Sequence, residues 1–368
     1  MPVYKEDNGT FTARFYVKNI DGSRKQEKKR GFKSSREAKA YEIEFLAKNS
    51  YSVNMTFKSL YELYIEDMAH RLRESTILTK KSIIEIKILP YFKNRKVRDI
   101  TPVLIREWQN KMMRLTKDNG EYYAKTYLRT LNNQFSAIMN YAVRYHGLQT
   151  NPFLRAGSMG KKNADEMEIW TIEEFETFIK AVNDKPISEL GFKVLFWTGA
   201  RLGELLALTV KDILIDINKI DINKSLQMIR GREVVTEPKT PRSKRRLEVS
   251  DELMQELKKY IGMLYCPDEN TRLFPFTKQM FERDIKFYAE KAGVKIIRVH
   301  DLRHSHASLL LHAGLDIITV SRRLGHENIE TTLKTYSHMY NPNAQRVISF
   351  LNDLHEKKLP INSKEDII

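Results

Sequence analysis

The side chains with the most evident chemistry lie in one stretch, His300 to Tyr336: HDLRHSHASLLLHAGLDIITVSRRLGHENIETTLKTY. His300 and Arg303 share HDLRH, where Asp301 can cap a helix whose buried side is Leu302, Leu309, Leu310 and Leu311. Both residues therefore sit at a helix N-terminus, where free N–H groups and the macrodipole favour an anion. Gly314 ends that helix, and a second, DIITVSRRL, stops at Gly325 with His326 projecting from the turn. A third starts near Asn328 and carries Tyr336 near its end. One arginine and two histidines converging on a point describe an anion site, with a tyrosine hydroxyl as the available nucleophile. A metal site fits less well. His300 and His304 have the i, i+4 spacing of zinc ligands, but Arg303 between them would repel a cation.

HDLRH, then LGH, then a tyrosine ten residues after that histidine, resembles the tyrosine recombinases, specifically the phage and transposon integrases. The resemblance implies an arginine in a TG-x-R-x-x-E turn and a lysine on a strand loop upstream. WTGARLGELLAL supplies Arg201 and Glu204, and TEPKTPRSKRRLEV supplies Lys239. Lys244 is a rival for the lysine; PKT followed by a basic, serine-containing stretch favours Lys239. The implied catalytic set is Arg201, Lys239, His300, Arg303, His326 and Tyr336, in the family's order. In that family's chemistry Tyr336 attacks a phosphodiester and forms a 3′-phosphotyrosine. Arg201 and Arg303 bind the non-bridging oxygens as fixed forks, and His326 adds a hydrogen bond. Lys239 protonates the leaving 5′ oxygen, His300 serves as base or proton relay, and Glu204 braces the site. No metal, nucleotide or other cofactor is implied. His304, His306, His312 and His338 fall outside the set, with His304 and His306 expected on the helix surface.

The implied partners are double-stranded DNA, at core-type and arm-type attachment sites, and three further copies of the chain in a tetramer on that DNA. An excisionase and a host DNA-bending protein also belong to the family's pattern. Three other readings compete. One is a regulator of the same architecture that binds DNA without cutting. The second is a type IB topoisomerase, with the same chemistry as a monomer. The third is a metal phosphohydrolase built on His300, His304 and His306.

Composition agrees with a polyanion partner. Among 368 residues, 63 are basic and 47 acidic, a net charge of +16. Cys266, in MLYCPDE, is the single cysteine, so no internal disulfide can form. The first residues, MPVYKEDNGTF, lack an apolar signal core, and no apolar run approaches the roughly 18–20 residues of a membrane span. The expected location is the cytoplasm.

The elements that must position these groups read as an α+β multidomain chain. Residues 1–50 suggest a small module: strands either side of a turn at Asp21-Gly22, a third strand from Val3, and a helix capped by Ser34 or Ser35. Arg24, Lys25, Lys28, Lys29 and Arg30 lie in its run RKQEKKR. The resemblance makes this an arm-type DNA-binding domain. Residues 56–151 read as four helices, one starting with Thr101 as N-cap and Pro102 at N1. Lys80, Lys81 and Lys125 on their polar faces suit phosphate contacts in a core-type DNA-binding domain. Residues 152–168 read as a linker, and 169–368 as a mainly α catalytic domain with a small antiparallel sheet. Within residues 213–249 three short strands are expected, the last hairpin joining VVTEP to RRLEV. Its loop adds Arg242, Lys244 and Arg245 for backbone contacts. An amphipathic helix follows Tyr336, to pack either on its own domain or on a neighbouring subunit.

Overall fold

A computed structural model describes residues 3–7, 9–18, 24–49, 53–162, 167–238, 240–336 and position 352. Lys239, the turn at Asp21-Gly22, His338 and the expected helix after Tyr336 lie outside the described residues. The chain divides into two compact units, Met1–Asp165 and Glu166–Ile368. The architecture is mixed α+β, with small antiparallel sheets among many helices.

In the first unit, β1 (Val3–Lys5), β2 (Phe11–Lys18) and β3 (Arg24–Phe32) form an antiparallel sheet in that order. Ala13, Phe15 and Phe32 point to one face and pack on α1 (Ser35–Asn49). Ser34 starts that helix, its Oγ accepting from the Glu37 N–H at 3.1 Å while Glu37 accepts from the Lys33 N–H.

The helices that follow are α2 (Phe57–Ala69), α3 (Glu74–Lys87), the short α4 (Leu89–Phe92), α5 (Pro102–Arg114) and α6 (Lys125–Tyr145). Thr101 caps α5 with Pro102 in its first turn. These helices close around Phe57, Phe92, Trp108 and Phe135, whose rings meet edge-on or tilted. The stretch expected as a linker begins instead as structure. The turn α7 (Phe153–Ala156) buries Phe153, Ala156 and Met159 in the same core. The sequence NPFLRAGSM has apolar residues too few and too close for periodicity to register, but enough to fill that core.

In the second unit, α8 (Ile172–Ala181) opens with the capping box of Thr171 and Glu174. α9 (Pro186–Thr198) is buried nearly all round, and Gly191 lets the Phe281 ring approach it. It ends at Gly199, whose φ of +66° carries the chain into α10 (Leu202–Ala207).

Five strands follow where three were expected: β4 (Ile213–Leu214), β5 (Lys219–Ile222), β6 (Ser225–Ile229), β7 (Arg232–Thr236) and β8 (Arg245–Glu248). VVT does not pair with RRLEV. It lies in β7, which pairs with β6 across Arg230-Gly231, while β8 pairs with β5. Arg230 and Gly231 both have positive φ, 50° and 75°, the conformation of a two-residue hairpin turn. That tight closure outcompetes the longer loop between β7 and β8. Ile220, Ile222 and Leu247 then share the inner face.

The chain continues through α11 (Asp251–Met263), α12 (Lys278–Ala292), α13 (Asp301–His312), α14 (Ile317–Leu324) and α15 (Ile329–Tyr336). Among the described residues no helix is long and apolar enough to cross a membrane.

Candidate active site

Two sharp turns and one helix start define the site. α9 ends at Gly199, α14 ends at Gly325 with φ +68°, and α13 begins beside both. Both turns call for glycine by conformation, and at Gly199 space demands it as well, while Gly325 is tight. A Cβ at Gly199 would stand 2.7 Å from His306 Cδ2, and one at Gly325 would stand 3.1 Å from Arg245.

Arg303 joins the two turns. Its guanidinium donates to the Gly199 carbonyl at 2.7 Å and to the Leu324 carbonyl at 2.6 Å. It is only 3% exposed. Burial, then the neighbouring charges of Arg201 and Arg245, push its pKa down to about 9, so it stays charged at neutral pH.

Arg201 is the N-cap residue of α10 and lies 37% exposed on the wall of a cleft of about 1510 Å³ that His300 and His326 also line. The buried Glu204 holds it, accepting from the Arg201 N–H at 2.9 Å and from its guanidinium at 2.8 Å. Burial alone would raise the Glu204 pKa, but Arg245 and Arg201 overcome it and lower it. Arg245 completes this brace, with Nη2 2.9 Å from Glu204 and Nε donating to the Arg323 carbonyl at 2.8 Å. Its side chain is 7% exposed. Arg245 was expected among the phosphate contacts of the loop; the structure makes it an internal strut, because its donors are taken up by protein oxygens.

Tyr336 closes α15 and is 1% exposed, packed with Ala307, Leu311, Val320 and Leu324. Its hydroxyl lies 2.5 Å from His304 Nδ1. Burial raises its pKa, against the pull of Arg303, so the phenol is protonated. His304 was expected outside the set. The available signal was its position four residues after His300, on the helix face that also carries Ala307 and Leu311. Its ring meets that of His300 edge-on, with centroids 5.1 Å apart. Burial first, then His300, push the His304 pKa down to about 4. His326 is likewise pushed to about 4 by burial and Arg303, and its Nδ1 lies 2.8 Å from the Oγ of the buried Thr332. Desolvation by the cleft walls, then Arg303, lower the His300 pKa. The imidazoles are thus neutral hydrogen-bonding groups, and the fixed positive charge comes from arginine.

Two details of α13 depart from expectation. His300, not Asp301, is the N-cap residue and makes no side-chain cap. Asp301 accepts instead from the Arg298 N–H at 2.9 Å and from its guanidinium. His306 is buried, with Nε2 accepting from Arg323 at 3.0 Å, a packing role. Among the described residues no group of three or more His, Cys, Asp or Glu could hold a metal ion.

The remaining basic candidates spread along the chain. Arg24 and Lys25 lie on β3, as do Lys28, Lys29 and Arg30, which are exposed. Lys29 covers the Tyr41 ring, and Arg30 stands 3.8 Å from Glu6. Lys80 is tied to the Tyr64 hydroxyl and to Gln134, Lys81 is half-buried, and Lys125 is exposed. Arg242 donates to the Glu327 carbonyl at 2.7 Å, bridging its loop to the turn that carries His326. Lys244 is exposed, 3.3 Å from Glu237.

Comparison with known proteins places this geometry. The description "Phage integrase family" matches residues 169–342, "Phage integrase, N-terminal SAM-like domain" residues 56–113, and "Arm DNA-binding domain" residues 2–49. The chain is 30% identical to the ICEBs1 integrase of Bacillus subtilis, over 82% of this chain and 84% of that one. It is 25% identical to a XerC-like tyrosine recombinase of Caldanaerobacter subterraneus, over 88% and 90%. In fold it resembles the Tn1549 transposon integrase in complex with a circular intermediate DNA. The TM-score is 0.66 at 21% identity, over 79% of this chain and 99% of that one. A lambda integrase dimer bound to a core site gives 0.58 at 18% identity, over 92% and 94%.

Proposed function

The chain belongs to the phage integrase family of tyrosine recombinases, and from that premise we propose that it is a site-specific DNA recombinase that integrates or excises a mobile element. One observation supports this most. Buried Arg303 binds together the turn that leads to Arg201, the turn that carries His326 and the helix that packs Tyr336. A cationic phosphate pocket and a hydroxyl nucleophile are therefore built on one scaffold.

The chemistry follows from the groups present. The Tyr336 oxygen attacks a DNA phosphorus and displaces the 5′ oxygen, so one P–O bond forms as another breaks. Negative charge gathers on the non-bridging oxygens, where Arg201 on the cleft wall can bind them, while buried Arg303, charged at neutral pH, adds its positive field through the two turns it holds. Neutral His326 donates through the nitrogen that Thr332 leaves available. The phenol proton passes to His300 or through it, and Lys239 protonates the leaving oxygen. The phosphotyrosine conserves the bond energy, and a second hydroxyl attacks it to rejoin the strands without ATP.

Residues 1–50 would bind arm-type sites, 56–151 core-type sites, and 169–368 would carry the catalysis. A tetramer on DNA, with an excisionase and a host DNA-bending protein, completes the reading, and a location in the cytoplasm goes with it. The test is recombination in vitro between two duplexes bearing the ends of the encoding element and its target, in EDTA and without ATP. Recombinant joints are the expected product. Binding to those duplexes without joints or nicks would favour a non-cutting regulator. Relaxation of supercoils without exchange would favour a topoisomerase.

A further inference from the structure

The nucleophile of the proposed reaction is put away in this structure. Tyr336 is 1% exposed among apolar side chains, so its oxygen cannot touch a DNA phosphate until the residue moves. A buried phenol needs an acceptor for its O–H. Among the described residues the one hydrogen-bond partner recorded for it is His304 Nδ1, at 2.5 Å. His304 is held in place by helix α13 itself, one turn beyond His300, with the His300 ring against its edge. His300, Arg303, His304, Ala307 and Leu311 recur at helical spacing, so one stripe of α13 carries both the anion site and the tyrosine's dock.

We propose that His304 is a positioning residue that latches Tyr336 in this buried resting place, so that the nucleophile is released only when α15 shifts toward bound DNA. The proposal rests on the recombinase reading for the identity of the nucleophile. It gives His304 a role distinct from phosphate binding and from acid–base catalysis. A bond made only in the resting state lowers the population of the competent one, and so slows attack by the same factor.

The experiment measures single-turnover formation of the Tyr336–DNA adduct on pre-bound nicked duplexes. It compares wild type with His304→Phe, which keeps a ring but no acceptor, and with His304→Asn, whose amide oxygen stands near Nδ1. His304→Leu is a second acceptor-free variant should the Phe variant not fold. In parallel, nitration of Tyr336 by tetranitromethane without DNA is followed by peptide mass mapping. Losing one buried neutral hydrogen bond speeds both reactions about fivefold, and His304→Asn returns them toward wild type. Slower adduct formation in His304→Phe would overturn the latch and make His304 a participant in the chemistry. Equal rates would overturn it as well. If wild type binds the duplex but forms no adduct, the recombinase reading fails, while nitration still decides whether His304 guards Tyr336.

Discussion

Replacing Glu204 with alanine should cost the catalytic unit far more than a surface change. The Glu204 carboxylate is buried and accepts from Arg201 and from both Nη groups of Arg245, at 2.8 to 3.3 Å. Arg201 is 37% exposed and can turn to water, so its share is small. Arg245 is 7% exposed and cannot. Removing the partner of a buried charge typically costs about 3–5 kcal/mol. For a unit of this size that lowers the melting temperature by roughly 6–20 °C. Glu204→Gln keeps one neutral acceptor and should lose about 1–3 kcal/mol. Acid sensitivity carries the same information. The Glu204 pKa is lowered in the folded state, so the unfolded chain binds that proton more tightly. Its stabilisation is complete above the ordinary carboxylate pKa and fades as pH falls through the folded value. The Gln variant should therefore show a shallower loss of stability on acidification. The assay is calorimetry or circular dichroism melting between neutral and acid pH, with tryptophan fluorescence of a Trp108→Phe background, in which Trp170 and Trp197 report on the second unit. A melting point for Glu204→Ala within about 3 °C of wild type, roughly 1 kcal/mol, would refute the brace.

Gly325→Ala should destabilise by about 1–2 kcal/mol through its positive φ alone, with more from the approach to Arg245, and a thermal melt reads it. Arg303→Lys reaches at most one of the two carbonyls that Arg303 joins, and should slow adduct formation at least about 100-fold while DNA binding falls much less. Thr332→Val keeps the shape of a buried side chain but leaves His326 Nδ1 without its hydroxyl partner; single-turnover kinetics should show adduct formation slowed about tenfold.

The parts of the site visible in the sequence were those whose identity is dictated locally. HDLRH and LGH fall on short helices closed by Gly314 and Gly325, the tyrosine follows on the next short helix, and Thr101-Pro102 or Thr171 with Glu174 declare helix starts by themselves. What escaped depends on where a side chain ends up in space. Arg245 reads as one more cation in a basic loop, and only the pairing of β8 with β5 turns it inward to Glu204. The β6–β7 hairpin is not legible in the sequence because Arg230-Gly231 lacks the Asn-Gly or Asp-Gly that usually marks such a turn. The spacing of His304 from His300 gives only their shared helix face; the contacts of His304 with Tyr336 and of Thr332 with His326 come from the docking of α15 on α13 and α14.

The proposed recombination stands on one step, in which Tyr336 becomes covalently joined to DNA without a metal. The most direct measurement incubates the protein in EDTA with nicked duplexes from the ends of its element, runs a denaturing gel, and maps the modified peptide. The expected result is a protein–DNA adduct on Tyr336 that disappears in Tyr336→Phe. Cleavage that survives that substitution, or that appears only when Mg²⁺ is added, would contradict it.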